Sequence, residues 1–250
     1  MKTLLLKIAI LVFGRFAGLR ENIIKALLLA EHKRRSEDAL RWLLSISDFV
    51  SNEIDFHCIR WGNGIHIKHE LMTGIHSFFY DRISEGERVL DVGCGIGVVA
   101  HAIVTHVDAR VIGMDTNYDR INYACLHFQH PRLTFIHGDA TAGLPEGRVD
   151  VIVFSSVIEH IDDRVGLLRK LIAVYGPKKM LIRAPMFERH YHAALKRKLD
   201  LFPYTDPDHK TEYTVESLTA ELQAAGLTIR YIEVRWGDIW VEAAPAGSVR

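Results

Sequence analysis

The sequence predicts an α/β fold: a mostly parallel sheet of seven strands, covered by helices on both faces and preceded by an N-terminal helical extension. Three observations predict it. After residue 86, short apolar runs alternate with stretches of helical periodicity, the signature of strands joined by crossover connections. The turn after the first of those runs carries glycines at alternate positions. Earlier in the chain, from Glu37 to Tyr80, the pattern is mostly helical. A chain of 250 residues with 48% hydrophobic and 25% charged residues has room for one large core plus an appendage.

Taken in order, the elements begin with Leu4–Phe13, an apolar run interrupted by Lys7 and followed by Arg15 and Arg20. No small-x-small cleavage site follows it, and it is shorter than the roughly 20 residues a spanning helix needs. Residues 1–30 are read either as a helix lying in a membrane interface or as one packed on the core or on a second copy in a homodimer. Helical periodicity over Ala39–Leu44 continues to a break at Trp61-Gly62-Asn63-Gly64. Strands are predicted at Arg88–Val92, Arg110–Met114, Leu133–His137, Val149–Phe154 and Met180–Arg183, with helices at Val98–His106, Tyr118–Phe128 and Asp162–Val174 between them. Thr214–Ala225 reads as a helix capped by Thr214 and ended by Gly226, and two further strands follow at Thr228–Val234 and Ile239–Ala243. The expected division is a helical extension and substrate-side cap over residues 1–84 and a sheet domain over 85–250, with an insertion at about 184–213.

Composition narrows the function. Thirty-one Lys and Arg balance 31 Asp and Glu, so the surplus of positive charge that extended nucleic acid requires is missing. Cys58, Cys94 and Cys125 are odd in number and form no CxxC pair, which argues against a disulfide framework or a zinc ribbon and for a reducing, cytoplasmic setting.

The turn Asp91-Val92-Gly93-Cys94-Gly95-Ile96-Gly97 carries the chemistry. Its glycines let the backbone approach a ligand closely while the next helix points its positive end at the same place. A dinucleotide fingerprint needs GxGxxG, but two residues on from Gly95 comes Gly97 and the third glycine position is Val98. Asp115 ends the second strand 24 residues after Asp91, a spacing suited to a carboxylate that reaches two ribose hydroxyls, and Gly138-Asp139-Ala140 follows the third. Gly93, Asp115 and Asp139 thus fall at the carboxyl ends of successive strands, where open α/β sheets bind ligands.

The D-x-G-x-G-x-G run with these two later acids, over roughly residues 86–245, resembles the class I S-adenosylmethionine (SAM)-dependent methyltransferases of type 11, whose sheet is Rossmann-like. The resemblance implies that Gly93, Gly95 and Gly97 lie beneath the methionine portion of SAM, that Asp91 organises its amino group or a water, that Asp115 holds the ribose, and that Asp139 and Ala140 hold the adenine. The product would be S-adenosylhomocysteine. For a hydroxyl acceptor, His160 with Glu159 beside it is the candidate base after the fourth strand; the alternative for His160 is a helix-start residue bonded to a neighbouring loop.

Some methyltransferases of ubiquinone synthesis and of small-RNA 2′-O-methylation carry metal ligands in the form E-x-x-E-H-x-x-x-H. Here Glu159 and His160 match, while Ser156 and Arg164 replace the other two, so no bound metal is expected and Arg164 would itself bring positive charge near Glu159. The acceptor side is read from two blocks. Trp61–Tyr80, with His66, His69 and His76, resembles the pre-core helix of bacterial polysaccharide-cluster methyltransferases. The insertion carries Arg189, His190, His192, Lys196, Arg197, Lys198, His209 and Lys210 among aromatic residues, suited to a lid over an acidic or phosphate-linked acceptor, or else to a solvated helix. Together they point to a small-molecule or saccharide acceptor near the inner face of a membrane.

Overall fold

In the computed structural model, which describes residues 17–247, the chain divides into two units, residues 17–57 with 194–203 and residues 58–193 with 204–247. The first unit is helical. Ala17–Ala30 (α1) and Ser36–Trp61 (α2) follow each other closely, the latter opened by Glu37 and Asp38 in its first turn and supported by an Arg41–Glu37 pair one turn apart, 3.1 Å long. The Lys196 ammonium, 8% exposed, is neutralised by Asp48 of α2 at 2.7 Å. Leu19, Leu27 and Leu29 of α1 and Phe49, Ile54 and Phe56 of α2 are exposed. Residues 1–16, on which half of the proposed interfacial helix falls, lie outside the described residues.

The second unit starts with the last turn of α2, which ends where Asn63 (φ 52°) and Gly64 (φ 98°) take left-handed backbone, at the break the sequence marks. Two short helices, Lys68–Leu71 (α3) and Ser77–Tyr80 (α4), lead to the sheet. Its strands are Arg88–Val92 (β1), Arg110–Asp115 (β2), Leu133–His137 (β3), Val151–Ser155 (β4), Lys179–Pro185 (β5), Leu227–Arg235 (β6) and Asp238–Pro245 (β7). They pair in the order β3-β2-β1-β4-β5-β7-β6, with β1 to β5 parallel and β7 antiparallel between β5 and β6. The expected seven-strand sheet is present with the crossover helices Val98–His106 (α5), Tyr118–His127 (α6) and Arg164–Tyr175 (α7), followed by Tyr191–Lys198 (α8) and Val215–Ala224 (α9).

Side chains of a strand alternate between faces, and both faces here are apolar. Val89, Val111, Val151, Val153, Leu181 and Trp240 pack on one side with Val99 and Ile103 of α5 and with Ile75, Phe78, Phe79 and Ile83. Leu90, Val92, Ile152, Phe154 and Ile182 pack on the other with Leu168 and Leu171 of α7 and Leu218 and Leu222 of α9. Ile75, Phe78, Phe79 and Ile83, which precede β1, thus belong to the core of the sheet.

Ends follow local chemistry. Asn117, Asp163 and Thr214 cap α6, α7 and α9, and Thr214 forms a reciprocal capping box with Ser217. The fourth strand begins two residues later than expected because the Asp150 carboxylate is turned to the Arg88 N–H at 3.1 Å and to the Arg148 guanidinium. Trp236 (φ 56°) and Gly237 (φ 75°) form the two-residue turn that joins β6 to β7.

Candidate functional site

The carboxyl ends of β1, β2, β3 and β4 open onto a cleft of about 490 Å³ in the second unit. Its wall includes Gly93, Asp115, Asp139, Ala140 and His160 of the predicted residues, joined by Ser156 and Val157 after β4 and by Asp206, Asp208 and Lys210 from the insertion. A neighbouring hollow of about 660 Å³ shares Thr116, Asp139, Thr141, His160 and Ile161 with it and extends to Lys170.

Gly93 (φ 66°) leaves β1 in left-handed backbone, and a Cβ there would meet the Val157 Cγ2 at 2.5 Å, so the loops after β1 and β4 close only over a glycine. Gly97 (φ 89°) also meets a packing need: its Cα faces the Phe135 ring, 2.5 Å from where a Cβ would stand, and lets α5 settle onto β3. The Gly95 N–H donates to Asp115 Oδ2 at 2.8 Å, and the Asn117 N–H donates to Oδ1 at 2.8 Å. Asp115, 6% exposed, is thus locked by two backbone donors while each oxygen keeps a lone pair for a ligand hydroxyl. Asp139 accepts from the N–H and hydroxyl of Thr141 through Oδ1 alone; the hydroxyl bond, then the N–H bond, hold its pKa below the usual value and its other oxygen remains available. The buried Ala140 lies beside it.

Asp91, the last but one residue of β1, is buried behind the cleft wall and its Oδ2 has no hydrogen-bond partner. Burial, then the nearby Asp115 charge, push its pKa up to about 8. An orphaned acid of this kind suits a cationic group of a ligand, and together with Asp115 and Asp139 it makes the residues present fit SAM.

Glu159 and His160 lie in the short turn Ile158–His160 that follows β4. Glu159 is 1% exposed and is not among the residues of the cleft wall; burial raises its carboxyl to about 7. His160 faces the cleft, and burial, then His209, lower its basicity. The chain reaches the turn in strain, because Ser156, a non-glycine residue, sits at φ 57°.

His209, expected only as one of the basic residues of the insertion, stands beside this turn. Its ring meets that of His160 edge-on at 4.7 Å, and its Nε2 lies 3.9 Å from Glu159 Oε1. The insertion is tied there by the Lys210 N–H, which donates to the Glu159 carbonyl at 2.8 Å. Glu212 anchors the same loop. Burial alone would raise its pKa, but the hydrogen bonds from His209 and from Thr205, and the Arg189 charge, outweigh that and hold it down at about 2. Arg164 does not supply charge to Glu159: its Nε donates to both oxygens of Glu221, at 3.0 and 2.9 Å. The basic insertion is likewise partly spent, since Arg189 pairs with Glu212 at 2.7 Å and Lys196 with Asp48. His69 and His76 join each other by a 3.0 Å ring-nitrogen contact away from the cleft wall, and burial, then His76, lower His69 to about 3.

The sequence matches the family described as Methyltransferase domain over residues 65–232. A probable S-adenosylmethionine-dependent methyltransferase of Mycolicibacterium smegmatis is 30% identical over 162 residues, 62% of this chain and 58% of that protein. A ubiquinone biosynthesis O-methyltransferase of Rhodopseudomonas palustris is 26% identical over 166 residues, 60% of this chain and 65% of that protein. The chain thus spans less than two thirds of the length of these curated relatives. Among solved structures, the fold is shared with an S-adenosylmethionine-dependent methyltransferase of Mesorhizobium loti (TM-score 0.55, 17% identity, 68% of this chain and 95% of that one). It is shared also with NcsB1, an O-methyltransferase from neocarzinostatin biosynthesis solved with S-adenosylhomocysteine and 1,4-dihydroxy-2-naphthoic acid (TM-score 0.56, 20% identity, 81% of this chain and 60% of that one).

Proposed function

The chain belongs to the methyltransferase-domain family, and from that premise we propose that it transfers a methyl group from SAM to a hydroxyl of a small-molecule or saccharide acceptor. The observation that carries this reading is the convergence of Gly93, Asp115, Asp139 and Ala140 on one cleft at the carboxyl ends of successive parallel strands. Asp115 would pair the ribose hydroxyls, Asp139 and Ala140 the adenine, and Asp91 the amino group, with Gly93, Gly95 and Gly97 beneath the methionine portion.

Bound SAM supplies an electrophilic methyl on a sulfonium, so the protein contributes alignment and the exclusion of water. Val157 and Ile161 give the cleft apolar wall on the side of the turn after β4. His160, kept neutral near pH 7 by its burial, is the group in the wall suited to take the hydroxyl proton.

Residues 1–30 in contact with an anionic membrane, or pairing two copies, complete the reading, with residues up to 84 as a substrate-side cap. The described part of that segment, α1, carries exposed Leu19, Ile24, Leu27 and Leu29. Among the described residues no helix is long and apolar enough to cross a membrane. A quinone-type phenol is the second acceptor class, favoured by the relative of Rhodopseudomonas palustris. The test is transfer of labelled methyl from SAM into lipid and glycan extracts compared with RNA and protein fractions. Label in a small-molecule or glycan fraction is expected; label confined to RNA or protein, or to none, contradicts the proposal.

A further inference from the structure

We propose that a hollow at the amino ends of β1 to β4 binds the terminal phosphate of a small, soluble phosphate monoester, held between Arg88 and Arg110. Each of these four strands is opened, or closely preceded, by an arginine and an apolar residue: Arg88-Val89, Arg110-Val111, Arg132-Leu133 and Arg148-Val149. Parallel pairing brings the four amino ends to one edge of the sheet, so all four arginines line a single hollow of about 890 Å³. It shares no wall residue with the SAM cleft, which opens at the other end of the same strands.

Two of the four guanidinium groups are already engaged. Arg132 gives Nη1 to Asp108 at 3.1 Å and Nη2 to the Val104 carbonyl at 3.4 Å. Arg148 gives Nε and Nη2 to Asp150 and keeps Nη1. Arg88 and Arg110 are different: both are exposed, and among the described residues neither side chain has a hydrogen bond or an ion pair. They are register partners on adjacent strands, about 4.8 Å apart at the backbone, so their side chains rise side by side from the same face of the sheet. Like charges set directly opposite each other on neighbouring strands are destabilising. A dianion between the two planar forks turns that repulsion into two charge-assisted pairs.

The rest of the wall narrows the anion. Its carboxylates are Asp108, which Arg132 holds, and the exposed Glu146, which has no ion pair among the described residues. Behind the wall, Asp150 and Glu87 are met by Arg148, Lys178 and Lys179 and draw nothing from the Arg88 or Arg110 side chains. A terminal phosphate carries a charge of about −1.5 to −2 at pH 7, which matches two guanidinium groups, whereas a phosphodiester or a carboxylate brings a single charge. None of the described residues that line the hollow is aromatic, so the stacking platform that single-stranded nucleic acid uses is missing. Ile112 and Val149 give the wall apolar surface for the organic part of the ester.

The test reads binding directly on the full chain, with no methyl transfer involved, so it stands whatever the acceptor proves to be. The protein is titrated by calorimetry with glycerol 3-phosphate, a monoester, and with dimethyl phosphate, a diester of single charge. Glycerol 3-phosphate is expected to bind one to one, with dimethyl phosphate weaker by about tenfold or more. Arg88→Gln and Arg110→Gln should each weaken the monoester by about tenfold or more, because each removes a charged donor fork. Glu146→Gln removes the opposing charge of the wall and should tighten binding. Arg230→Gln, exposed on the edge strand β6, should leave it unchanged. Circular dichroism and SAM binding report whether each variant is folded, and Glu146→Gln together with the two titrations of the unmodified protein keep the test decisive if one variant is not. No saturable binding of glycerol 3-phosphate, dimethyl phosphate bound as tightly, affinity untouched in folded Arg88→Gln and Arg110→Gln, or an equal loss in Arg230→Gln would overturn the site. So would capture by phosphatidic acid vesicles through the two arginines without binding of the soluble monoester, which would make this edge of the sheet a membrane contact.

Discussion

Binding of SAM should expel a proton from Asp91. The carboxyl has its pKa pushed up to about 8 by burial and by Asp115, so at pH 7 only about a tenth of the free protein carries the charge. Pairing with the ligand's ammonium needs the carboxylate. Binding at pH 7 therefore releases about 0.9 proton and is weakened by about 1.4 kcal/mol relative to a fully ionised site, and affinity should climb about tenfold between pH 6 and 7 and flatten above 8. The ligand's own ammonium titrates near 8, so the slope is best read below pH 7. For the free protein the sign is opposite. A carboxyl whose folded pKa is raised stabilises the fold fully below its ordinary value of 3.8, and that contribution is lost as pH rises through about 8. Calorimetry of SAM binding from pH 6 to 8, in two buffers of different ionisation enthalpy, measures both the affinity and the protons. Asp91→Asn should abolish the slope. Affinity that is flat with pH, no proton release at pH 7, or the same slope in Asp91→Asn would refute the reasoning.

Other outcomes test the frame. Gly97→Ala forces a side chain into left-handed backbone and against Phe135, at a cost of about 2–4 kcal/mol, so its melting temperature should fall by about 4–16 °C. Asp238→Ala strands the Arg183 guanidinium, which is buried 2.7 Å from that carboxylate, and should destabilise by about 3–5 kcal/mol in chemical denaturation; a loss below 1 kcal/mol would show that water reaches the arginine. Phe79→Ala empties a fully buried position beside Trp240 and should cost about 3–5 kcal/mol.

Much of the sheet was legible because buried parallel strands must be short and apolar, and all seven were located, with shifts of one or two residues at most ends. Those shifts have local causes, such as Asp150 turning to ion pairs before β4 and the left-handed Trp236-Gly237 turn that lets β6 and β7 run longer than their apolar centres. Gly93, Asp115 and Asp139 were legible for a related reason: a residue at a strand end has its position fixed by the strand. Side chains held by a returning loop were not. Nothing in the periodicity around His209 says that the Lys210 N–H will find the Glu159 carbonyl, or that Arg164 will be claimed by Glu221 from another helix. Ile75, Phe78 and Phe79 have helical spacing, and only packing shows that they belong beneath the sheet.

The central claim is that the cleft at the carboxyl ends of β1 to β4 binds SAM through Asp115, and calorimetric titration of the full chain with SAM tests it most directly. Saturable binding is expected in the unmodified protein, with no comparable binding of NAD. Asp115→Asn, shown to be folded by circular dichroism, should weaken SAM by about 1–3 kcal/mol, because an amide oxygen replaces a carboxylate that already serves two backbone donors and must still meet the ribose. Unchanged SAM affinity in that variant, or NAD bound more tightly than SAM, would contradict the assignment of the site.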